Sequence, residues 1–596
     1  MLKNILLILL FLIFKINFLI AQQIHVTEVE SGQALGGVLI YSLDPGKSVI
    51  TDAKGKADIG LFKNKGAIII QLLGYESKTL SWADLDKSQF KIKLSPSQIT
   101  LDVAIIAASR WRQNTQDNPG KVRSLDQEQL ALRPPSNTSD CLGSSGEVFV
   151  QKSQLGGGSP MIRGFSANRL LYAVDGVRMN TAIFRSGNLQ NVISIDPFAV
   201  QSTEILFGPG SVMYGSDAIG GVMAFETLSP SLNENTISGN FIGRFASAYG
   251  EKTFHTDLSY GSEKWSFLTS ATHFNYGDLK MGKNNGPESY LRTEYQTTEN
   301  GTDLQISNPN PLIQVGSGYD QLNLMQKIQY KASERTTWNY GFHYSKSTEI
   351  PRYDRLIEKR NENLRFARWD YGPQIWMMNT LKLTHTSEGK WFDQVKVIAA
   401  HQFFEESRIN RRFGQNEEFK RIEKVHAFSL NADFLKNLNQ ENYLTYGFEA
   451  VLNKVNSTGK VTDISSNQVS QASARYPTSD WSSIAAYGNY HVKVSDRWQF
   501  QTALRYNYTS LAAHFGNNSE FFPLPFSRSS NRYHSITGNI GLIYKPEPSL
   551  SISPVLSTGF RAPNVDDIGK IFDSEPRTVM VPNQDLKPEY AYNAEI

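Results

Sequence analysis

The residues that could carry out chemistry in this chain are few and widely separated. The 596-residue sequence holds one cysteine, Cys141, and ten histidines. A single cysteine excludes a disulfide framework and any zinc or iron–sulfur site built from the cysteines of one chain. No Ser/His/Asp set, His-Glu-x-x-His motif or carboxylate pair has a spacing that predicts catalysis. The sequence therefore predicts neither an enzyme nor a site for a resident metal or cofactor.

Glycine-rich stretches are the next candidates. Gly208-Pro209-Gly210 could cradle a phosphate, but neither a helix pattern nor a Gly-Lys-Ser/Thr motif follows it. Further glycines cluster at 156–158 and 220–221. Such stretches allow unusual backbone angles and close approach of the backbone to a neighbour. We therefore expect tightly packed loops rather than a nucleotide site.

The composition excludes two broad classes of protein. Lys and Arg number 60 against 57 Asp and Glu, so the net charge is only +3. A nucleic-acid-binding protein needs a clustered basic face, which this balance does not favour. Charged residues make up 20% and aromatic residues 11% of the chain. That combination is not typical of a disordered protein.

The first 21 residues resemble a secretory signal peptide. Lys3 precedes an apolar run at 5–14, and a second apolar stretch ends at the small residue Ala21. The alternative is a membrane anchor, which Lys15 would make costly. No later segment is apolar enough for a transmembrane helix, so any insertion into a membrane must use a β-barrel.

Residues 235–596 have the pattern of long amphipathic strands. At 498–509, apolar and aromatic residues alternate with Gln499, Gln501, Arg505, Asn507 and Thr509. Alternation over about ten residues is typical of outer-membrane strands, whereas soluble sandwiches use strands of about five or six. Long polar connections also alternate with short turns. We predict about fourteen strands of an antiparallel transmembrane barrel, with a soluble sandwich as the alternative.

Residues 109–229 form a different unit, with dense glycine and mixed signals. Ser124 with Gln127 has the spacing of a capping box, and Asp196 before Pro197 has that of a helix start. Short apolar runs at 170–174 and 204–207 predict strands. The pattern predicts a compact α+β domain.

Three motifs in this unit resemble the plug of TonB-dependent outer-membrane receptors. They occur in the order of that family at 159–165 (SPMIRGF), 174–180 (VDGVRMN) and 208–222 (GPGSVMYGSDAIGGV). The resemblance implies a plug inside a barrel, and active transport driven by TonB with ExbB and ExbD. It also implies residence in the lipid of the outer membrane and a small extracellular ligand.

Just before the plug, residues 98–108 hold a segment that resembles the TonB box. Its residues are Asp102, Val103, Ala104, Ile105, Ile106 and Ala107. In the family this segment adds to TonB as a β-strand, which requires an extended, β-prone backbone with free polar groups. An ordinary linker strand is the alternative.

Residues 22–97 resemble a carboxypeptidase-regulatory-like domain, a non-catalytic β-sandwich found before the plug in Bacteroidota receptors. The resemblance is carried by 31–38 (SGQALGGV), by Asp52 with Gly55, and by 73–76 (LGYE). Turn residues separate short β-prone runs there, and Phe90, Ile92 and Leu94 alternate with lysines.

Two segments near the end of the sequence, 560–563 (FRAP) and 583–589 (NQDLKPE), resemble barrel motifs of haem and iron receptors. That class carries a haem-binding histidine where this chain has Asn188. Amides are not among the usual ligands of haem iron, so we do not expect that class's haem ligation here. The candidate ligand-binding residues are Arg178, Arg185, Asn188, His514 and Arg561.

The expected protein is mainly β, with a sandwich, a plug and part of a barrel. About fourteen strands are fewer than the roughly 22 of plugged outer-membrane transporters, so we expect a truncated chain. The expected function is uptake of a scarce ligand, such as a siderophore or haem-like iron complex. The alternatives are a glycan importer of the same family, a non-transporting surface protein, a truncated remnant, and a secreted enzyme with a regulatory sandwich.

Overall fold

The fold was obtained as a computed structural model. It describes residues 22–29, 31–42, 47–63, 67–72, 75, 77–95, 104–126, 135–185, 191–282, 288–361, 363–439, 441–522, 524–547, 550–570, 572–575, 578–580 and 583–596. The chain divides into two compact units, 1–103 and 104–596. The signal-peptide prediction at 1–21 falls outside the described residues.

Within its described residues, the first unit contains two small β-sheets and one α-helix. The three-stranded sheet has the order Lys56–Asp58, Gln23–Glu28, Lys91–Leu94, and the four-stranded sheet the order Lys47–Ile50, Leu39–Ser42, Ile68–Gln71, Lys78–Leu80. Helix Trp82–Lys87 begins at Ser81, whose side chain and that of Asp84 form a capping box. Both sheets contribute buried residues, among them Ile24 and Ile40, to one apolar core.

The second unit begins with the plug region, residues 104–227. Its five-stranded sheet has the order Val122–Asp126, Val200–Phe207, Gly221–Thr227, Leu170–Val174, Val177–Arg178. The other strands are Ala104–Ile105, Gln113–Asn114, Phe149–Gln151, Ser159–Ile162 and Phe165–Ser166, and the α-helices are Thr138–Gly143 and Ser211–Tyr214. The predicted α+β character of this region is confirmed.

Of the two helix starts predicted here, the one at Asp196 is wrong, and the helix predicted after Ser124 and Gln127 falls on residues 127–134, outside the described residues. Ser124 lies in a strand and pairs with Glu204, so its backbone is already satisfied by a sheet partner. Asp196 caps a turn: its side chain accepts from the N–H of Phe198 and its carbonyl from that of Ala199. The chain then enters strand Val200–Phe207, whose β-sheet pairing prevents the turn from continuing as a helix.

The remaining sequence forms one large antiparallel sheet, the wall, with 18 strands among the described residues. Four of them are short: Ile350–Pro351, Phe366–Tyr371, Val469–Ala472 and Leu550–Ile552. The others are Ile237–Ala246, Glu251–Gly261, Trp265–Tyr276, Tyr319–Ser333, Thr336–Ser347, Ile375–Thr386, Gln394–Arg412, Glu417–Asn437, Tyr443–Asp463, Thr478–Ser495, Trp498–His514, Arg528–Glu547, Val555–Arg561 and Glu589–Glu595. The sheet is open, because its first and last strands do not pair with each other in the described part of the chain.

Side chains alternate along the wall between a polar inner face and an apolar outer face. On Trp498–His514, Gln501 and Arg505 are buried, whereas Leu504 and Tyr506 are exposed. On Arg528–Glu547, Thr537 is buried and Ile536 is exposed. The predicted inward and outward faces of these strands are confirmed. Such a surface suits a lipid environment outside and a polar interior.

The wall has two distinct ends. Short connections at 334–335, 438–442 and 496–497 lie at one end, the turn end. The other end, the loop end, has short connections at 247–250 and 413–416, and its remaining connections are longer and mostly carry extra elements. These are hairpins Leu279–Lys280/Ile313–Gln314, Glu294–Glu299/Thr302–Ser307, Lys359–Arg360/Asn363–Leu364 and Phe572–Glu575/Thr578–Met580, and helices Tyr353–Leu356 and Val565–Gly569.

The wall and the plug region share one core. Plug residues such as Phe184 and Phe225 pack in the same buried cluster as wall residues such as Trp376 and Phe404.

Six short 3-10 helices occur in the described chain: Gly60–Phe62, Thr115–Asp117, Ala167–Arg169, Asn191–Ser194, Glu288–Tyr290 and Gly516–Asn518. Among the described residues, none of the helices is long and apolar enough to cross a membrane.

Candidate functional site

Residues 104–107 are fixed against the plug region, as a two-residue strand followed by a bend and the start of a turn. Ala104–Ile105 pairs antiparallel with Gln113–Asn114. The N–H of Ile106 donates to the Glu204 carboxylate at 2.9 and 3.0 Å, and that of Ala107 donates to it at 2.7 Å. Amide bonds to an ionised acceptor are stronger than neutral ones, so this carboxylate holds the segment firmly.

The sequence prediction for this segment covers 102–107, of which 104–107 are described. Asp102 and Val103 lie outside the described residues. Of the described part, Ala104–Ile105 has the extended backbone that strand addition requires, whereas Ile106 lies in a bend and Ala107 begins a turn. Its amides at 106 and 107 are already engaged, so binding of a partner strand at those positions requires release from Glu204.

Glu204 lies on a plug strand and is almost fully buried. Burial raises the pKa of its carboxyl above the ordinary value, and the amides of Ala107 and Ile106 oppose this rise. The two amides therefore provide much of the compensation that this buried carboxylate receives.

Arg110 follows the segment and reaches into the wall near the turn end. Its backbone has a φ of +62°, which turns the side chain away from the preceding strand. Its guanidinium lies 2.6 Å from Glu449 Oε2 and 3.4 Å from Asp433 Oδ1. The Arg110 carbonyl accepts from Lys396 Nζ at 2.7 Å. The chain beside residues 104–107 is thus anchored to three neighbouring wall strands.

Glu449 also binds a wall arginine, Arg505, at 2.7 Å. Arg505 is fully buried and also donates to Asn507. Its guanidinium lies so close to Gly215 of the plug region that a Cβ there would be 2.8 Å from Nη2. One carboxylate therefore joins the plug region to the wall through two arginines.

At the loop end, the apex of the plug region meets the wall and a loop helix. The N–H of Ala182 donates to Asn453 Oδ1 at 3.0 Å, and the Ala182 carbonyl accepts from the N–H of Val565 at 2.9 Å. Asn564 Nδ2 donates to the Phe184 carbonyl at 2.7 Å. Asn188, a predicted ligand contact in this apex, lies outside the described residues.

The two apex arginines predicted as ligand contacts both have carboxylate partners. Arg185 is buried and lies 2.8 Å from Glu406 of the wall. Arg178 pairs with Asp217 inside the plug region, and its guanidinium lies 5.8 Å from the ring of Trp481. Arg185 therefore links apex and wall, whereas Arg178 holds the apex together.

Further arginines surround Tyr371 close to the apex. The guanidinium carbons of Arg352, Arg185 and Arg408 lie 5.1, 5.3 and 5.7 Å from its ring centroid. Arg352 Nη1 donates to the Tyr371 hydroxyl at 2.7 Å. Arginines over an aromatic face are held by cation–π attraction. Each of these arginines also has a carboxylate partner: Glu406 for Arg185, Asp354 for Arg352 and Glu423 for Arg408. The loop end of the interior therefore holds arginine–carboxylate pairs around an aromatic ring.

Arg561 and His514 lie at the loop ends of two wall strands. Arg561 is buried, with its guanidinium 2.6 Å from Asp567 and 2.7 Å from Glu589. Carboxylates at the strand end therefore already engage the predicted ligand contact Arg561. His514 is half-buried and pairs across the sheet with Thr478.

Sequence reasoning missed Glu204 and the Arg110–Glu449–Arg505 network. The only signal for Glu449 and Arg505 was a charged residue on the inward face of an alternating strand. That pattern marks a side chain that needs a buried partner, but it does not identify the partner.

Two family models match the chain. Residues 114–222 match the TonB-dependent Receptor Plug Domain, and residues 265–596 match the TonB dependent receptor-like, beta-barrel. The chain is 29% identical over 198 residues to the vitamin B12 transporter BtuB of Vibrio vulnificus, which covers 32% of this chain and 31% of that protein. It is 26% identical over 197 residues to a hemin receptor of Yersinia pestis, covering 30% and 28% of the two chains.

Solved structures show the same fold at low identity. The FrpB iron transporter from Neisseria meningitidis superimposes with a TM-score of 0.58 and 14% identity, covering 76% of this chain and 66% of that one. The Serratia marcescens hemophore receptor HasR, in complex with its hemophore and heme, superimposes with a TM-score of 0.57 and 14% identity. The match covers 80% of this chain and 69% of that one.

The matched part spans about a third of the curated relatives, which are named as transporters and receptors rather than enzymes. The barrel model alone covers more than half of the chain. In the structure, the polar inner face of the wall contacts the plug region, and residues 104–107 before the plug are bound near the turn end. The chain belongs to the family of TonB-dependent receptors.

Proposed function

We propose that this chain carries out TonB-dependent uptake of a scarce ligand, an iron complex such as a siderophore or a haem-like chelate, across the outer membrane. The observation that carries this proposal is residues 104–107. They begin with the strand Ala104–Ile105, lie directly before the plug and are anchored near the turn end by Glu204 and Arg110. A protein that only binds at the surface has no need of such a segment.

The proposal assigns a role to each part of the chain. Residues 1–21 are a signal peptide, 22–97 a periplasmic carboxypeptidase-regulatory-like sandwich of the Bacteroidota type, and 98–108 the TonB box with its linker. Residues 109–229 are the plug and 235–596 belong to the barrel. The turn end faces the periplasm, where the TonB–ExbB–ExbD complex acts, and the loop end faces the cell exterior.

The ligand is proposed to bind at the loop end, beside the plug apex. Arg185, Arg408 and Arg352 bring guanidinium groups to the aromatic face of Tyr371, and a bound anion would take the place of their carboxylate partners. Carboxylate and catecholate groups suit guanidinium forks, which bind planar anions with two hydrogen bonds. This chemistry favours an anionic iron chelate.

The other predicted ligand contacts have supporting roles in this proposal. Asn188, outside the described residues, stays a proposed ligand contact, and His514 belongs to the rim of the loop end. Arg178 and Arg561 orient the apex and the strand end through Asp217 and Asp567. The relatives are named for vitamin B12, hemin and iron, which is consistent with the proposed ligand class.

Proline substitutions in the box test the proposal. Ile105→Pro and Ala107→Pro remove backbone donors that strand addition to TonB needs. In cells expressing the protein, we expect loss of growth on ferric siderophores or hemin as sole iron source, with binding of the radiolabelled iron compound to whole cells retained. Ile105→Val is the matched control and should support growth.

Two other growth results would contradict the proposed iron uptake. Unchanged iron-dependent growth with both proline variants would contradict TonB-driven uptake and favour a surface binding protein or a remnant. Growth on oligosaccharides that depends on the intact segment, without iron uptake, would favour the glycan importers of this family instead.

A further inference from the structure

The outer face of two neighbouring wall strands carries a cluster of lysines. On Glu417–Asn437 and Tyr443–Asp463, the side chains at even positions face outward, and they include the exposed apolar residues Phe428 and Leu452. The strands pair without a register shift, so this face continues unbroken toward the loop end. There it carries four lysines, which we call the lysine patch: Lys420, Lys424, Lys454 and Lys460.

The protein itself leaves much of this positive charge without a partner. Lys420 and Lys460 are direct cross-strand neighbours. Like charges in this position destabilise a sheet. Among the described residues, neither of these lysines nor Lys454 forms an ion pair. An anion placed over the two strands would offset the repulsion.

Three acids border the lysine patch, and two of them are already engaged. Glu405 lies 3.3 Å from Lys424, and Glu418 lies 3.2 Å from an arginine of another strand. The third, Asp480, is the cross-strand neighbour of Lys454 on the next strand. The patch therefore has more cations than free carboxylates, which favours an anionic ligand.

Directly below the lysine patch, toward the turn end, the same outer face forms an apolar groove of about 630 Å³. Small side chains, Ala399 and Ala450, lie between larger ones on the outer face and so create the depression. The larger apolar side chains that line it are exposed: Leu381, Leu430, Leu452 and Ile484. A groove of this shape and polarity suits a hydrocarbon chain.

Two histidines lie between the groove and the lysine patch. His401 lines the groove, and its Nε2 atom lies 3.1 Å from Nδ1 of His426. His426 is in turn the cross-strand neighbour of Lys454. Polar side chains are unfavourable inside the hydrocarbon, so the pair indicates where the lipid headgroups begin. From the groove to the loop end, this surface thus changes from apolar to hydrogen-bonding to cationic.

We propose that this surface binds one phosphorylated glycolipid of the membrane leaflet at the loop end. An acyl chain fills the groove, the amide or ester that attaches the chain meets the histidines, and phosphates bind the lysine patch. Lys454 and Lys460 are six residues apart, which is roughly 20 Å along a strand. Phosphates that reach both lysines require a long headgroup, such as a phosphorylated saccharide. A phospholipid carries its phosphate next to its acyl chains and reaches only the lower lysines.

Equilibrium binding to the purified full chain in detergent, measured by surface plasmon resonance, tests the site. The probes are purified lipopolysaccharide, a phosphorylated glycolipid, and phosphatidylglycerol, an anionic phospholipid. Lys420→Gln with Lys460→Gln removes charge from the lysine patch, and Ala450→Leu fills the groove. Arg528→Gln with Arg532→Gln is the matched control. It removes two outward cations from a strand that lines no part of the groove.

We expect the lysine variant to bind lipopolysaccharide about 30-fold more weakly, because each lysine near an anionic lipid contributes about fivefold. Ala450→Leu should also bind it more weakly, and the arginine control should match the original protein. An equal loss in the control would show general charge attraction and overturn the site. So would unchanged affinity in the lysine variant or in Ala450→Leu. Equally tight binding of phosphatidylglycerol, with the same loss in the lysine variant, would overturn the assignment to a glycolipid.

Discussion

Arg110 and Glu449 form a 2.6 Å ion pair although 339 residues separate them in the sequence. Arg110 stands just after the segment that leads into the plug, and Glu449 lies on the inner face of a barrel strand. Because Glu449 also holds Arg505, its carboxylate is the centre of the contact between plug and barrel on this side.

Glu449→Gln should destabilise the plug within the barrel. The substitution leaves two buried guanidiniums with Asp433 as the nearby carboxylate, and breaking a buried pair costs about 3–5 kcal/mol. We expect a lower urea midpoint for unfolding of the purified protein in detergent. Glu417→Gln, at the exposed loop end of the neighbouring strand, is the control. Equal midpoints for both variants would contradict the role assigned to Glu449.

Glu204→Ala should free the segment before the plug. Bonds to a charged acceptor contribute about 1.5–3 kcal/mol each, so losing this carboxylate predicts amide exchange about 10-fold to 100-fold faster at Ile106 and Ala107. Hydrogen exchange followed by mass spectrometry of the peptide spanning 104–110 measures this. Glu234→Ala, an exposed carboxylate beyond the plug, should leave that peptide unchanged.

The same carboxyl predicts a pH dependence. Burial raises the pKa of Glu204 above its ordinary value of 4.5. At a pH between 4.5 and the raised pKa, the carboxyl of Glu204 keeps its proton in the folded protein but has lost it in the unfolded chain. The free energy of unfolding therefore falls as pH rises through this window. Glu204→Gln removes the titrating group. For this variant we expect a smaller fall in the free energy of unfolding above pH 4.5, measured by urea unfolding at a series of pH values. If the free energy of unfolding falls equally with pH in both proteins, Glu204 is not the titrating group.

Gly215→Ala should weaken the packing of the plug against Arg505. Gly215 has a φ of +77°, and an added Cβ would lie 2.8 Å from the Arg505 guanidinium. Backbone strain of this kind costs about 1–3 kcal/mol for a residue other than glycine, before any displacement of Arg505. Thermal unfolding in detergent would detect the loss. Gly243→Ala, where nothing lies within 4 Å and φ is not positive, is the matched control.

The barrel strands could be predicted from the sequence because their alternation is a local property. Gln499, Gln501, Arg505, Asn507 and Thr509 were assigned to one face, and all five are buried on the inner side of the wall. Period-two patterning reports which face meets lipid, and lipid enforces it over long strands.

The plug was harder to predict, because its local signals were overridden by packing. Ser124 has a helix-start pattern, yet pairing with Glu204 on a neighbouring strand places it in a sheet. The contacts of Arg110 could not be foreseen either, since spacing carries no information about partners hundreds of residues away. A charged residue on an inward face indicated only that a partner was needed.

Few residues separate the segment 104–107 from the Arg110–Glu449 ion pair, and this determines how a force on the segment is transmitted to the wall. Ala107 and Arg110 are three residues apart, and that length of chain extends at most to roughly 10 Å. The connecting chain can therefore lengthen very little before it transmits force. A pulling force that separates residues 104–107 from Glu204 would reach the Arg110–Glu449 pair within that distance. A small displacement of this segment would therefore act on the barrel wall before the rest of the plug had moved.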